Sequence, residues 1–302
     1  MSVSGAAAPG PAASGEGLAP GGPASVSHAV RARRGVAGRL GLRTLALGYL
    51  AVLLIAPVAM IFYRTFEHGV APVWNALTAP NAVHAFWLSI EIVAIVVPLN
   101  TVFGIGMALM LERGRFRGRG LIGVLLDLPF AISPVVVGLA LVLAYGTTGW
   151  FGNWLIAHGI QVIFSVPGMV MATAIVALPF VARETMPVLR ELGSESEEAA
   201  ATLGAGSWQT FWRVTLPAIR WGVVYGVVLT TARALGEFGA VSVVSGRILG
   251  QTQTLPLFVQ SSYENFETTG AYAAAVLLAL LALGTLLAMS LLARRTPTDP
   301  AV

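Results

Sequence analysis

Six runs of this chain are long and apolar enough to cross a bilayer, and nothing else in it restricts the fold as much. A hydrocarbon core about 30 Å thick needs about 20 apolar residues in a helix. The first run is TLALGYLAVLLIAPVAMIFY, residues 44–63. The others cover about 85–111, 121–145, 164–182, 219–239 and 272–292. In lipid every backbone polar group must be satisfied inside the segment, so these runs are expected to be helices. Only 11% of the residues are charged, against roughly 25% in an ordinary soluble domain. The expectation is an all-α polytopic membrane protein with six transmembrane helices.

Arginine placement predicts how the helices are oriented. Arg31, Arg33, Arg34, Arg39 and Arg43 precede the first run, and Arg113, Arg115, Arg117 and Arg119 lie between the second and third. Arg183, Arg190, Arg213 and Arg220 lie between the fourth and fifth, and Arg294 and Arg295 follow the sixth. The intervening loops hold only Arg64 and Arg247. The excess of positive charge on one side predicts that both termini are cytoplasmic. Residues 1–30 are mostly Ala, Gly, Pro and Ser and cannot bury enough apolar surface to offset their ordering entropy. Residues 1–43 are therefore expected to be a disordered tail with a basic juxtamembrane end. No basic n-region opens it, so it does not read as a signal peptide. Residues 293–302 read as a short cytoplasmic tail.

Missing residue types exclude much chemistry. There is no cysteine, which removes disulfides, Fe–S clusters and thiol catalysis. All eighteen basic residues are arginine. Without lysine there is no Walker A site and no Schiff base, so any ATP used must be bound by another chain. His28, His68, His84 and His158 show no metal-ligand spacing, and no nucleophile–base constellation appears. No metal, catalytic residue or bound cofactor is expected. The pI near 10.0 reflects arginines at span ends and does not point to nucleic acid.

Prolines recur inside the apolar runs, at Pro57, Pro98, Pro134 and Pro179. Membrane bundles tolerate them where neighbours satisfy the freed carbonyls. Gly222 and Gly226 form a G-x-x-x-G, a close-packing face.

Between the fourth and fifth runs lies a polar cytoplasmic segment, EEAAATLGAGSWQTFWRVTLP, residues 197–217. Ser194-x-x-Glu197 has the capping-box pattern, which predicts a short helix starting near Glu195. Glu195, Glu197 and Glu198 favour its dipole, Gly204 is a natural stop, and Gly206 is a second hinge. Ser207 is placed to cap a second short helix showing Trp208, Phe211 and Trp212, which Pro217 closes before the fifth run. Such an aromatic cluster suits a partner-docking surface or the headgroup region; a plain solvated loop is the alternative.

Ionisable residues within the runs are Glu91, Asp127, Arg233 and Glu237. Each should face protein or water. Arg233 and Glu237 are four apart and can pair on one helical face, either structurally or as a gate near the outer end of the fifth run. Asp127 sits near the cytoplasmic start of its run, placed to cap or pair. Ser133, Thr230, Thr231 and Ser242 are small hydroxyls suited to a pathway.

These residues carry a resemblance. Glu198-Ala199-Ala200, Gly204, Val214 and Leu216-Pro217 match the spacing of the EAA motif of ABC importer permeases, with Val214 where that family usually has Ile. The stretches LLDLPFAISPVVVGL (125–139), IFSVPGMVMAT (163–173), LPFVARE (178–184), ARALGEFGAVSVVSG (232–246) and TLPL (254–257) resemble the CysW family of sulfate/thiosulfate permeases. The resemblance covers roughly 45–295. It implies the type I importer permease fold, with a transmembrane domain over 81–292 and a coupling loop over 183–220. It implies that Glu197, Glu198, Ala199, Ala200, Gly204, Trp208, Val214, Leu216 and Pro217 belong to an ATPase-coupling surface. It also implies residence in a bacterial cytoplasmic membrane. The implied partners are a CysT/CysU-like second permease, two copies of a CysA-like ATPase that binds ATP and Mg, and an extracytoplasmic sulfate-binding protein. A molybdate or tungstate permease remains the nearest alternative. An ATP-independent channel or secondary transporter, and an intramembrane enzyme, are more distant ones.

Overall fold

The computed structural model describes residues 42–293. Residues 1–41 of the expected N-terminal tail and 294–302 of the C-terminal one lie outside the described ones, while Leu42, Arg43 and Ala293, expected in the tails, are helical. The chain divides into two compact units at Val58 and Ala59. Among the described residues there is no strand. The first helix, α1, runs Leu42–Phe66, and its residues up to Val58 form the described part of the first unit.

The second unit is built on helices α2 (Val70–Leu77), α3 (Pro80–Arg113), α4 (Arg119–Ala131), α5 (Pro134–Tyr145), α6 (Gly152–Ala157), α7 (Val166–Ala177) and α8 (Pro179–Leu192). Then come α9 (Glu195–Thr202), α10 (Ser207–Leu235), α11 (Gly239–Val244), α12 (Leu255–Glu264) and α13 (Thr268–Ala293). Helices α1, α3, α10, α13 and the α7–α8 pair are each long and apolar enough to span. The α4–α5 pair qualifies only as one bent span, which brings the number to six.

That bend corrects the expectation of a single helix over 121–145. The axes of α4 and α5 turn through 108°. Proline at 134 disfavours helical backbone at the residue before it. Ile132 and Ser133 are accordingly extended, with ψ of 136° and 135°. Pro134 therefore opens a helix and does not kink one.

The core centres on three mutually packed helices. Helix α8 packs against both α3 and α10, which also meet each other, and Val181 is the point of closest approach. A Cβ on Gly104 of α3 would lie 2.6 Å from the Val181 Cβ, and one on Gly226 of α10 would lie 2.6 Å from the Val181 Cα. Gly222 meets α8 one turn away, with the Glu184 carbonyl 2.9 Å from the site of its Cβ. The G-x-x-x-G thus does the close packing expected of it. Below this layer Ala108, Leu111, Leu126, Ala182, Met186, Leu189 and Ile219 form one apolar cluster. Above it a second cluster joins α3, α5, α7 and α11.

Three of the prolines are accommodated in two ways. In α1 the residue before Pro57, Ala56, bonds back five residues to Ala51. In α10 the residue before Pro217, Leu216, does the same to Phe211. Such a widened turn relieves the clash that a proline ring makes with the carbonyl four residues back. Pro217 therefore sits within a continuous helix and does not close a separate segment. At Pro179 the Leu178 N–H bonds Ile175 at 3.3 Å, which frees the Ala174 carbonyl. Buried Asn100 donates to that carbonyl at 3.0 Å. Replacing Asn100 with leucine is expected to cost about 1–3 kcal/mol by leaving the carbonyl unpaired, read as a lower melting temperature of the purified chain in detergent. An unchanged melting temperature would refute the role.

Candidate functional site

Helix α9 ends in a left-handed glycine turn. The Ala205 N–H bonds Ala200 O at 3.0 Å and the Gly204 N–H bonds Ala201 O at 3.0 Å, while Gly204 has φ +86°. This pair of bonds with a left-handed glycine is the Schellman arrangement. Ala199 and Ala200 therefore supply small side chains to α9 and carbonyls to its closure: the Ala199 carbonyl accepts the Leu203 N–H at 3.2 Å.

Two local expectations are corrected here. The capping box does not form, because the Ser194 hydroxyl donates to Glu198 at 2.6 Å and Glu197 is engaged elsewhere. Ser207 is the first residue of α10 and not its cap; Gly206 holds the cap position with φ −72°. The one left-handed residue of the elbow is thus Gly204.

Beyond the elbow the aromatic cluster is present. Trp208 and Trp212 rings lie 5.6 Å apart, and Phe211 and Trp212 5.3 Å apart. Trp208 is 74% exposed and Leu203, on the other side of the glycine, 89%. An exposed apolar patch of this kind suits contact with a partner or with the membrane surface. Leu216 is half-buried and Pro217 exposed.

On the inner side, Arg113 Nε donates to Glu197 Oε2 at 2.8 Å, and Thr215 Oγ1 donates to Glu197 Oε1 at 2.9 Å. Val214 lines the same small cleft as Arg113, Leu189 and Glu197. Neighbouring Glu112 takes Arg190 at 2.7 Å and Arg119 at 3.4 Å. Asp127 pairs with Arg183 through both oxygens, the Nε bond being 2.6 Å. In the sequence these arginines mark only sidedness. Their alternation with Glu112, Asp127 and Glu197 is a weak signal that they pair, since nothing in the sequence says which helices meet.

The second group gathers at the C-terminal end of α10. Arg233 and Glu237 pair at 2.6 Å. Glu237 Oε1 accepts the Ala240 N–H at 2.8 Å and so fastens the start of α11. The α4–α5 bend abuts this segment: a Cβ on Gly239 would lie 3.0 Å from Pro134. Ser133 is exposed at the bend. Ser242 is half-buried with its hydroxyl on Gly239 O at 2.8 Å. Thr231 bonds Val227 O at 2.7 Å. Thr230 is fully buried and lines no open surface of this conformation. Glu91 is exposed on α3, with no ion-pair partner among the described residues of this chain. Among the described residues no group of His, Asp or Glu could hold a metal.

Residues 100–297 match the family model described as "binding-protein-dependent transport system inner membrane component". The chain belongs to this family. Curated relatives agree. The chain is 57% identical over 258 residues to the sulfate transport system permease protein CysW of Synechocystis sp., covering 85% of this chain and 94% of that protein. It is 51% identical over 242 residues to CysW of Escherichia coli K12, covering 80% and 83%. The permease CysT of the same bacterium is 38% identical over 246 residues, covering 80% and 89%. A solved bacterial ABC transporter involved in alginate import superposes with a TM-score of 0.73 at 17% identity. The match covers 89% of this chain and all of that one, and at that identity the likeness concerns the fold alone.

Proposed function

We infer that the chain is the permease subunit of an ATP-driven ABC importer and forms part of the membrane pathway for sulfate. The observation that carries this is its 50–57% identity to CysW permeases over most of its length. The family match and the glycine-hinged cytoplasmic segment agree with it. The chain itself is not an enzyme in this reading. Hydrolysis of ATP with Mg belongs to a CysA-like partner, present in two copies. The exposed patch of Leu203, Trp208 and Trp212 is the surface that suits such a partner. A CysT-like chain is the natural second permease, since a CysT is also a relative at 38% identity. An extracytoplasmic binding protein delivers the anion. Both termini face the cytoplasm in a bacterial inner membrane, as arginine placement favours.

The bend at Ile132–Ser133 supports a pathway near Ser133, Arg233, Glu237 and Ser242. Non-helical backbone at membrane depth persists only inside protein or beside water, and Ser133 is exposed. Glu91 and Asp127 are unsuited to contact a dianion, since like charges repel. Positive charge within the spans is scarce, so selectivity rests mainly with the binding protein. Tight sulfate binding by the purified permease pair alone would overturn that point.

The test is radiolabelled sulfate uptake in cells lacking this chain, with and without its restoration. Uptake should return, be blocked by unlabelled thiosulfate, and be only weakly affected by molybdate. No rescue despite confirmed membrane expression with the partner subunits would overturn the sulfate assignment. Block by molybdate instead would assign the oxyanion class to that metal.

A further inference from the structure

Helix α3 has 34 residues, so at 1.5 Å per residue it is about 51 Å long. It outruns a hydrocarbon core of about 30 Å. Its last turn is expected to stand in the cytoplasm, where it carries Glu112 and Arg113. All three nitrogens of the Arg113 guanidinium are engaged. Its Nε donates to Glu197 Oε2 on α9 at 2.8 Å. One terminal nitrogen donates to Leu189 O at 3.1 Å and the other to Gly193 O at 2.5 Å. Both carbonyls lie at the C-terminal end of α8, where helix carbonyls lack intrahelical partners. The far oxygen of Glu197 holds Thr215 at the widened turn of α10.

One side chain therefore joins α3, the end of α8 and α9, and through Glu197 it reaches α10. The Arg113 and Glu197 side chains are 25% and 22% exposed, so the join is shielded but not sealed. A planar guanidinium presents its donors in a fixed fork, which an ammonium cannot copy. Adjacent Glu112 ties the same turn to α8 through Arg190 and to α4 through Arg119.

We propose that Arg113 is a positioning residue that locks the coupling helix α9 to the core spans α3, α8 and α10, so that displacement of α9 by the ATPase moves the spans as one body. This rests on the reading of α9 and its elbow as the coupling surface. Without Arg113, α9 keeps its flanking linkers and the Glu197–Thr215 bond to α10 but loses its tie to α3 and to the end of α8. It can then follow the ATPase without carrying those two helices.

The test uses the assembled transporter in vesicles. Arg113→Gln should lower sulfate taken up per ATP hydrolysed by about tenfold, within the usual span of coupling free energies. Arg113→Lys should restore it only in part. A purely structural role would lower uptake and hydrolysis together and leave their ratio unchanged. The chain has no cysteine, so with cysteine-free partner subunits spin labels at Met110→Cys on α3 and Thr202→Cys on α9 report on this link alone. Their separation should be narrow and the same with and without trapped ATP, and it should broaden in Arg113→Gln. A wild-type separation that changes with nucleotide, or an unchanged width and ratio in the variant, would overturn the proposal. If Arg113→Gln fails to reach the membrane, Glu197→Gln takes its place in both measurements, with the same expected results and the same grounds for rejection. The coupling reading has its own arm. Normal uptake by Gly204→Val defeats that reading, whereas a defective Gly204→Val beside a normal Arg113→Gln defeats the clamp alone.

Discussion

Gly204→Val should reduce sulfate uptake by about tenfold or more at matched membrane expression, within the range that coupling free energies span. The reason is backbone and not space. A Cβ at Gly204 would meet nothing within 4 Å, so no neighbour is displaced. The residue sits at φ +86°, where a β-branched side chain clashes with its own backbone. Holding a non-glycine residue there costs on the order of 1–3 kcal/mol. The strain is relieved by opening the two bonds to Ala200 and Ala201 that close α9. Leu203 and Trp208, on either side of the elbow, then no longer present one surface. The replacements should rank by tolerance of left-handed backbone, with asparagine mildest, alanine next and valine worst. Uptake assays with immunoblotted membranes measure this. Equal uptake across the series would remove Gly204 from the coupling mechanism.

Gly226→Leu should act earlier, on whether the chain folds at all. Its Cβ would fall 2.6 Å from the Val181 Cα, and a backbone atom inside a packed helix cannot move aside cheaply. Overpacking costs roughly 1–3 kcal/mol, occasionally more, against a total stability of about 5–15 kcal/mol for typical domains. Gly104→Leu should do the same from the opposite side of Val181. Gly106→Leu is the control, because a Cβ there meets nothing within 4 Å. The expected readout is loss of monodisperse protein in detergent for Gly226→Leu and Gly104→Leu, with Gly106→Leu retained. Normal yield and melting of Gly226→Leu would show that α8 and α10 are not in close contact in the folded protein.

Particular residues show what is legible in the sequence and what is not. The spans are legible because lipid imposes one requirement, a satisfied backbone in an apolar coat, and this writes itself into about 20 consecutive residues. The Gly204 stop is legible because few residues accept its conformation. The Ser194 capping box misleads because Glu197, the acid that would complete it, is claimed by Arg113 and Thr215, partners distant in the chain. Pro217 misleads as an end because a proline rule counts one lost N–H and does not foresee the widened turn at Phe211–Thr215. The bend at Ser133 has its cause in the sequence, Pro134, but its size of 108° follows from the fit of α5 against α11, where Gly138 lets the Ala240 carbonyl approach to within 2.6 Å of where its Cβ would be.

By itself, then, the sequence determined the membrane, the helices, their expected sidedness and the glycine-hinged polar segment, because each follows from local composition or from one residue's backbone limits. Only the tertiary structure decided that Val181 is pinched between Gly104 and Gly226, and that Arg113 reaches Glu197 and the carbonyls of Leu189 and Gly193. Those pairings join residues up to 84 positions apart in Arg113–Glu197. A distance of that kind is set by how whole helices pack, and side-chain chemistry alone does not encode it.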